Sequence, residues 1–183
     1  MFRFAQTFDD MNAVLAFLRD TANVRAFGID TTRLVIAGHS MGGMVAVRTA
    51  ANDHRVRGAI LISAGDMGAR RKTPRDSVIK GMSENMESLA GVTAAQMADE
   101  MMTAGPAWAF ERSVPGLAHV PLLVLTADDG LAPSADALVK KVRAAGNTRV
   151  TTLHVATDHS WSDRRIALEA AVIRWLDPIA QGR

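Results

Sequence analysis

The sequence predicts an α/β fold: a mostly parallel sheet with helices on both of its faces. Short unbroken apolar runs, such as residues 34–37 and 121–126, alternate with longer segments in which apolar residues recur every three or four positions. The first pattern is typical of strands buried on both faces, and the second is typical of amphipathic helices. Their alternation favours parallel pairing of the strands.

The predicted elements follow from this alternation and from the turn residues between them. A first helix over residues 9–26 has one apolar face and ends at Gly28, because glycine readily ends a helix. The strands are predicted at residues 34–37, 57–63, 121–126 and 149–155, and the other helices of the sheet layer at residues 42–51, 134–145 and 162–176.

Between residues 66 and 118 the alternation stops, and we predict a helical lid inserted within a single domain of residues 1–183. The insert contains helical patterns at 76–89 and 93–103, and Thr93 with Gln96 fits a capping box for the second. Methionines in the insert predict either core packing or an adaptable surface over an apolar substrate. These methionines are Met82, Met86, Met97, Met101 and Met102. Trp108 and Phe110 are candidate substrate-binding walls of that pocket.

The composition narrows the classes of function. Lysine and arginine total 21 and aspartate and glutamate 19, so a net charge of +2 provides no strong field for nucleic acid or an anionic membrane. We interpret the single basic cluster, Arg70, Arg71, Lys72 and Arg75, as a solvated loop. The absence of cysteine excludes disulfides and a cysteine nucleophile. No stretch resembles a signal peptide or a membrane span, so we expect a cytoplasmic protein. We expect no cofactor.

Residues 38–42 read Gly-His-Ser-Met-Gly and match G-x-S-x-G between a predicted buried strand and a small-residue helix. In this context the motif holds a serine hydroxyl out at the carboxyl end of the strand, so Ser40 is the candidate nucleophile. The helix begins at the next residue, and the Met41 N–H is therefore a candidate oxyanion-hole donor.

A serine nucleophile needs a histidine base and a carboxylate that orients it. His159 lies in the loop ATDHSWSD after the last strand, at the same sheet edge as Ser40, and is the predicted base. His39 within the motif and Trp161 in the histidine loop are candidate substrate contacts. Either Asp128 or Asp129, in the loop after the preceding strand, can supply the carboxylate. No metal site is predicted, because His154, Asp158 and His159 lack a matched further ligand.

Two stretches resemble the α/β-hydrolase superfamily. DTTRLVIAGHSMGG is similar to its D-x-x-R-[IV]-x-x-x-G-H-S-M-G-G run, and PLLVLTADDGLAP to its P-x-L-x-x-x-G-x-x-D-x-x-x-P run. The resemblance covers most of the chain from Asp30 onward. It implies that Asp129, four residues before Pro133, is the acid; Asp128 stays an alternative, because Thr126 stands where the family often has glycine.

The resemblance also implies a serine carboxylesterase that cleaves small to medium acyl esters, with thioesterase and peptidase chemistry as related activities. Family members have several strands before the elbow, whereas only one helix fits ahead of it here. We therefore expect a truncated sheet whose exposed elbow strand pairs in a homodimer or larger assembly, and weak activity for want of a second oxyanion donor. The alternative is a catalytically silent module that binds a small apolar ligand or a partner chain.

Overall fold

The described residues form a parallel sheet of four strands in the order β1-β2-β3-β4. The structure is a computed structural model that describes residues 2–84, 86 and 89–182, apart from the side chains of Arg71 and Lys72. The strands are β1 Val35–His39, β2 Gly58–Ile62, β3 Leu122–Thr126 and β4 Val150–His154. Val35 pairs with Gly58, Ala59 with Leu122 and Leu122 with Val150. The predicted α/β class and parallel pairing are confirmed, and all four strands end at one edge of the sheet.

Eight α-helices of the described residues connect and cover the strands. They are α1 Phe4–Arg19, α2 Thr21–Phe27, α3 Met41–Asn52, α4 Arg75–Ser83, α5 Ala94–Ala104, α6 Phe110–Ser113, α7 Ala132–Ala144 and α8 Arg165–Ala180. Short 3₁₀ turns cover Thr31–Arg33, Met67–Lys72 and Gly105–Trp108. The basic cluster predicted in the sequence therefore lies partly on a 3₁₀ turn, while the side chains of Arg71 and Lys72 are outside the described part.

The prediction of a single first helix over residues 9–26 is wrong, because the structure has two helices there, α1 and α2. Asp20 adopts an extended conformation between them, and its carboxylate accepts hydrogen bonds from the N–H groups of Ala22 and Asn23. An aspartate at this position caps a helix N-terminus, so it both ends α1 and starts α2. The last helix also runs beyond its predicted end at residue 176. It continues through Pro178, which removes only one N–H from the last turn.

Apolar side chains pack on both faces of the sheet, as predicted. On one face α3 and α7 contribute Met44, Val47 and Leu138 to the larger core cluster. On the other face α8 contributes Leu168, which packs against a smaller cluster that includes Trp161. The strands with the most buried residues, β2 and β3, are the central ones, whereas β1 and β4 are the edges.

The segment predicted as an insert packs its apolar residues into the larger core cluster. Met101 and Val78 are fully buried, and Met82 and Met97 nearly so. The predicted capping box of α5 is confirmed: the Gln96 N–H donates to Thr93 Oγ1, and the Thr93 N–H donates to Gln96 Oε1. The other helix predicted in the insert, residues 76–89, ends earlier, at Ser83; residues 85, 87 and 88 lie outside the described part of the chain.

Candidate active site

Ser40 occupies a sharp turn between the end of β1 and the start of α3. Its backbone has φ 56° and ψ −117°, a conformation that residues other than glycine seldom adopt. The turn is held by backbone hydrogen bonds, since the Ser40 N–H donates to Ile62 O at 2.9 Å and the Ser40 carbonyl accepts from the Gly43 N–H at 3.1 Å. A strained strand-to-helix turn of this kind is the backbone geometry that the G-x-S-x-G motif predicts, with the serine at the carboxyl end of the sheet.

Two glycines make this turn sterically feasible. A Cβ at Gly38 would lie 1.9 Å from the Gly42 carbonyl oxygen, and a Cβ at Gly43 would lie 2.3 Å from the Ala64 Cβ. Gly42, by contrast, has open space where its Cβ would be. The turn therefore requires glycine at position 38, where backbone passes close by, and at position 43, where Ala64 packs against it, but not at position 42.

Gly38→Ala is expected to destabilise the fold severely, because its clash is with backbone atoms that cannot move without opening the turn. The matched variant Gly42→Ala should retain the wild-type thermal unfolding midpoint or raise it, since alanine is favoured over glycine inside a helix by about 0.5–1 kcal/mol. Thermal unfolding followed by circular dichroism measures both. Equal midpoints for the two variants would contradict the steric account of the elbow.

Asp129 and His159 form a direct hydrogen-bonded pair at the same sheet edge. His159 Nδ1 lies 2.8 Å from Asp129 Oδ2, and the Asp129 side chain is only 3% exposed. Asp129 also accepts the Leu131 N–H at 2.9 Å. Burial acts to raise the pKa of Asp129, but the hydrogen bonds from His159, Leu131 and the Ser63 side chain outweigh it and hold that pKa below its usual range. Asp129 is therefore a carboxylate that can accept the Nδ1–H of His159, and the hydrogen bond leaves Nε2 as the other ring nitrogen.

Asp128 makes a separate interaction away from this pair. Its side chain is 63% exposed, and its Oδ1 accepts from His154 Nε2 at 3.1 Å. His154 Nδ1 in turn lies 3.0 Å from the Thr126 hydroxyl. Of the two neighbouring aspartates, only Asp129 contacts His159. This geometry favours Asp129 over Asp128 as the acid.

Ser40, Met41, Asp129 and His159 line one cavity of about 610 Å³. Much of its remaining wall is apolar and comes from Phe2, Phe4, Met67, Met82, Leu89, Met97 and Leu131. Arg70 and Glu84 add two charged side chains to the lining. The cavity therefore combines a serine, an oriented imidazole and an apolar surface, an arrangement suited to acyl transfer on a substrate with an apolar portion.

The serine and histidine share the cavity without a hydrogen bond between them. Among the described residues, the Ser40 hydroxyl has no hydrogen-bond partner. In enzymes without substrate this contact is often long and tightens when substrate binds. Met41 is the first residue of α3, so its N–H has no carbonyl acceptor within the helix and lies at the positive end of the helix dipole.

The side chains predicted to contact substrate lie outside the lining of this cavity. The His39 Nε2–H donates to the His159 carbonyl oxygen at 2.7 Å, and the two imidazole rings are 4.6 Å apart. Trp108 packs against Phe4 in the core, and Phe110 is 2% exposed. Trp161 is fully buried. The three aromatic residues are thus buried in the core and do not line this cavity, and His39 contacts the loop that carries His159.

Sequence reasoning missed most of the cavity wall. Phe2 and Phe4 come from the start of the chain, and Leu131 follows the acid loop, so no local pattern joins them to Ser40. The sequence also offered no direct indication of Ser63, whose side chain helps to lower the pKa of Asp129. Its only signal was its place directly after the apolar run of β2, at the same sheet edge as Ser40.

Within residues 2–84, 86 and 89–182, no three histidine, aspartate or glutamate side chains converge as metal ligands would. Nor does any helix among these residues have the length and apolar character needed to cross a membrane.

A family model described as the alpha/beta hydrolase fold matches residues 1–163. The match begins ahead of the two motifs and includes the first two helices. A comparison with curated proteins gave no match.

Solved structures of esterases and a peptidase resemble this chain. An esterase from the fungus Rhizomucor miehei is 16% identical with a TM-score of 0.69, and covers 100% of this chain and 62% of its own. A Pyrococcus furiosus esterase is 15% identical with a TM-score of 0.63, covering 93% of this chain and 60% of its own. The Pyrococcus horikoshii acylaminoacyl peptidase is 14% identical with a TM-score of 0.66, covering 93% and 27%. At identities this low, the structural similarity establishes a shared fold and no more. The chain spans about three fifths of each esterase.

Proposed function

Because the chain belongs to the α/β-hydrolase family, we propose that it is a serine hydrolase that cleaves small to medium acyl esters through an acyl-enzyme on Ser40. The observation that carries the proposal is the pair formed by a buried Asp129 and His159, 2.8 Å apart, in the same cavity as the elbow serine. Three separate loops bring a carboxylate, an imidazole and a strained serine to one sheet edge. Their order along the chain is the order expected of a catalytic triad in this family, which supports the proposal.

In the proposed mechanism His159 Nε2 takes the proton from Ser40 as Oγ attacks the acyl carbonyl. The Met41 N–H donates to the oxyanion of the tetrahedral intermediate. His159 then protonates the leaving alcohol, and an acyl-enzyme remains on Ser40. Water attacks this ester with His159 again as the base, and the acid product leaves. Throughout, Asp129 keeps the imidazole oriented and stabilises its charged form.

The apolar wall supports an acyl pocket formed in part by the insert of residues 66–118. Met67, Met82, Leu89 and Met97 belong to this segment and line the cavity beside Ser40. Thioether side chains adapt to ligands of different shape, so this wall suits acyl chains of several lengths. We propose on this basis that the insert sets the acyl preference.

A panel of activated substrates tests the proposed activity. p-Nitrophenyl esters of two to twelve acyl carbons, a matched thioester and a p-nitroanilide amide are assayed at neutral pH. We expect the short and medium esters to be hydrolysed fastest, followed by the thioester, and the amide to be inert. Preference for the amide would contradict an esterase and favour a peptidase.

A second candidate is a hydrolase-like module that binds a small apolar ligand without turnover. The observation in its favour is the missing hydrogen bond between Ser40 Oγ and His159 in the described structure. A fluorophosphonate probe distinguishes the candidates, because it reacts only with an activated serine. Labelling supports the enzyme, and absence of labelling by a folded protein supports the binding module.

We propose further that the chain assembles into a homodimer through its elbow strand. β1 is an edge of the sheet, and the side chain of Ala37 within it is exposed. On α8, Ile166 and Ile173 are 84% and 66% exposed. An unpaired strand edge is a template for pairing with another chain, and exposed apolar side chains favour association. Light scattering at micromolar concentration should give twice the 19.6 kDa mass of one chain, and a monomer mass would contradict the proposal.

A further inference from the structure

Ser63 lies directly after β2, next to both the acid and the histidine loop. It is 1% exposed, and its backbone has φ 44°, in the left-handed region. Trp161, two residues after His159, is fully buried and has φ 57°. Buried residues in strained conformations cluster at functional sites, because only a well-determined surrounding structure can hold them there.

The Ser63 hydroxyl joins these segments through hydrogen bonds. The Trp161 Nε1–H donates to Ser63 Oγ at 3.1 Å. Since an indole nitrogen can only donate, the hydroxyl acts as acceptor in this contact, and its own hydrogen needs a different acceptor. The neighbouring acceptor is the Asp129 carboxylate, whose lowered pKa reflects, against the opposing effect of burial, hydrogen bonding from the Ser63 side chain as well as from His159 and Leu131.

We propose that Ser63 is a positioning residue for the Asp129–His159 pair: its buried hydroxyl accepts from Trp161 of the histidine loop and donates to the Asp129 carboxylate. The hydroxyl thereby fixes the carboxylate that receives the His159 Nδ1–H and ties the histidine loop to the end of β2. This inference rests on the proposed function, since it assigns Ser63 an effect on the reacting imidazole through Asp129. Ser63 itself does not line the cavity.

Two substitutions separate the hydroxyl from the backbone strain. Ser63→Gly removes the hydroxyl but accepts a positive φ without cost, whereas Ser63→Ala removes the hydroxyl and keeps the strained Cβ. We expect kcat for a p-nitrophenyl ester to fall about tenfold or more in both variants, with KM within about twofold of wild type, because a hydrogen bond to a charged group is lost. The thermal midpoint of Ser63→Gly should exceed that of Ser63→Ala.

The control is Ser113→Ala, which removes another buried serine hydroxyl, on α6. We expect its kcat to equal that of wild type. Wild-type kcat in Ser63→Gly would overturn the proposal. If Ser63→Ala alone then lost activity, the cause would be backbone strain at position 63 and not the missing hydroxyl.

A measurement without turnover keeps this inference separate from the proposed function. The His159 Nδ1–H bonded to a carboxylate should give a low-field proton resonance in the wild-type protein. We expect its exchange with water to quicken about tenfold in Ser63→Gly and to stay unchanged in Ser113→Ala. Unchanged exchange in Ser63→Gly would overturn the positioning role, whether or not the protein hydrolyses any of the esters. Failure of the wild-type protein to hydrolyse any ester would overturn the proposed function but not the positioning role.

Discussion

Ser40→Ala is expected to lower kcat for activated esters by at least about 10⁴-fold, because it removes the attacking oxygen while the rest of the site is kept. The fold should be unaffected, since the Ser40 hydroxyl has no hydrogen-bond partner among the described residues. Steady-state kinetics measure the loss, and an unchanged thermal midpoint verifies the fold.

Ser77→Ala provides the control for this substitution. Ser77 is an exposed serine on α4, remote from the elbow in sequence and absent from the cavity lining. Its replacement should leave kcat within about twofold of wild type, as surface substitutions usually do. If Ser40→Ala retained most of the wild-type kcat, another nucleophile would be responsible and the acyl-enzyme mechanism would be wrong.

Asp129→Asn should reduce kcat by about 10⁴-fold at neutral pH, whereas Asp128→Asn should leave it nearly unchanged. An asparagine amide at position 129 can donate to His159 Nδ1, which places the remaining proton on Nε2 and removes the base from Ser40. Asp128 is exposed and bonded to His154, so its charge is not part of that arrangement. The two variants make the same chemical change one residue apart, which makes each the control of the other.

The pH dependence of kcat offers a check on this pair of variants. The lowered pKa of Asp129 means that its carboxylate is ionised throughout the neutral range. Asp128→Asn leaves the Asp129 carboxylate in place, so this variant should keep the wild-type pH profile as well as the wild-type rate. A large loss in Asp128→Asn with little change in Asp129→Asn would reverse the assignment and would require the acid loop to rearrange in solution.

The sequence was sufficient to predict the parts of the molecule that depend on local pattern. The elbow depends on glycines whose spacing is visible in the chain, and the strands are short apolar runs between turn residues. The capping box at Thr93 and Gln96 is equally local. The choice of His159 followed from topology, because loops after parallel strands meet at one sheet edge.

Other features depend on contacts between distant segments and could not be predicted in this way. An aromatic residue near a motif suits a pocket wall or a core equally well, and the large apolar area of Trp161 and Trp108 is buried in the core instead. The break at Asp20 reflects competition between one continuous helix and a favourable cap, which periodicity alone does not resolve. The role proposed for Ser63 depends on tertiary contacts, among them its hydrogen bond with Trp161, 98 positions away.

The cavity has a similar explanation. Phe2, Met82 and Leu131 come from three distant parts of the chain and meet beside Ser40 because the sheet edge brings their segments together. Each is an ordinary apolar residue in its own sequence context. The chemistry of the site is therefore marked by local motifs, whereas the shape of its pocket is a property of the tertiary structure.

Peptide mapping of the protein after reaction with a fluorophosphonate probe tests the central claim most directly. The account predicts one adduct, on the peptide that contains Ser40, which is absent from Ser40→Ala and forms far more slowly in His159→Ala. An adduct on a different residue, or equal labelling of wild type and His159→Ala, would contradict the claim that His159 activates Ser40.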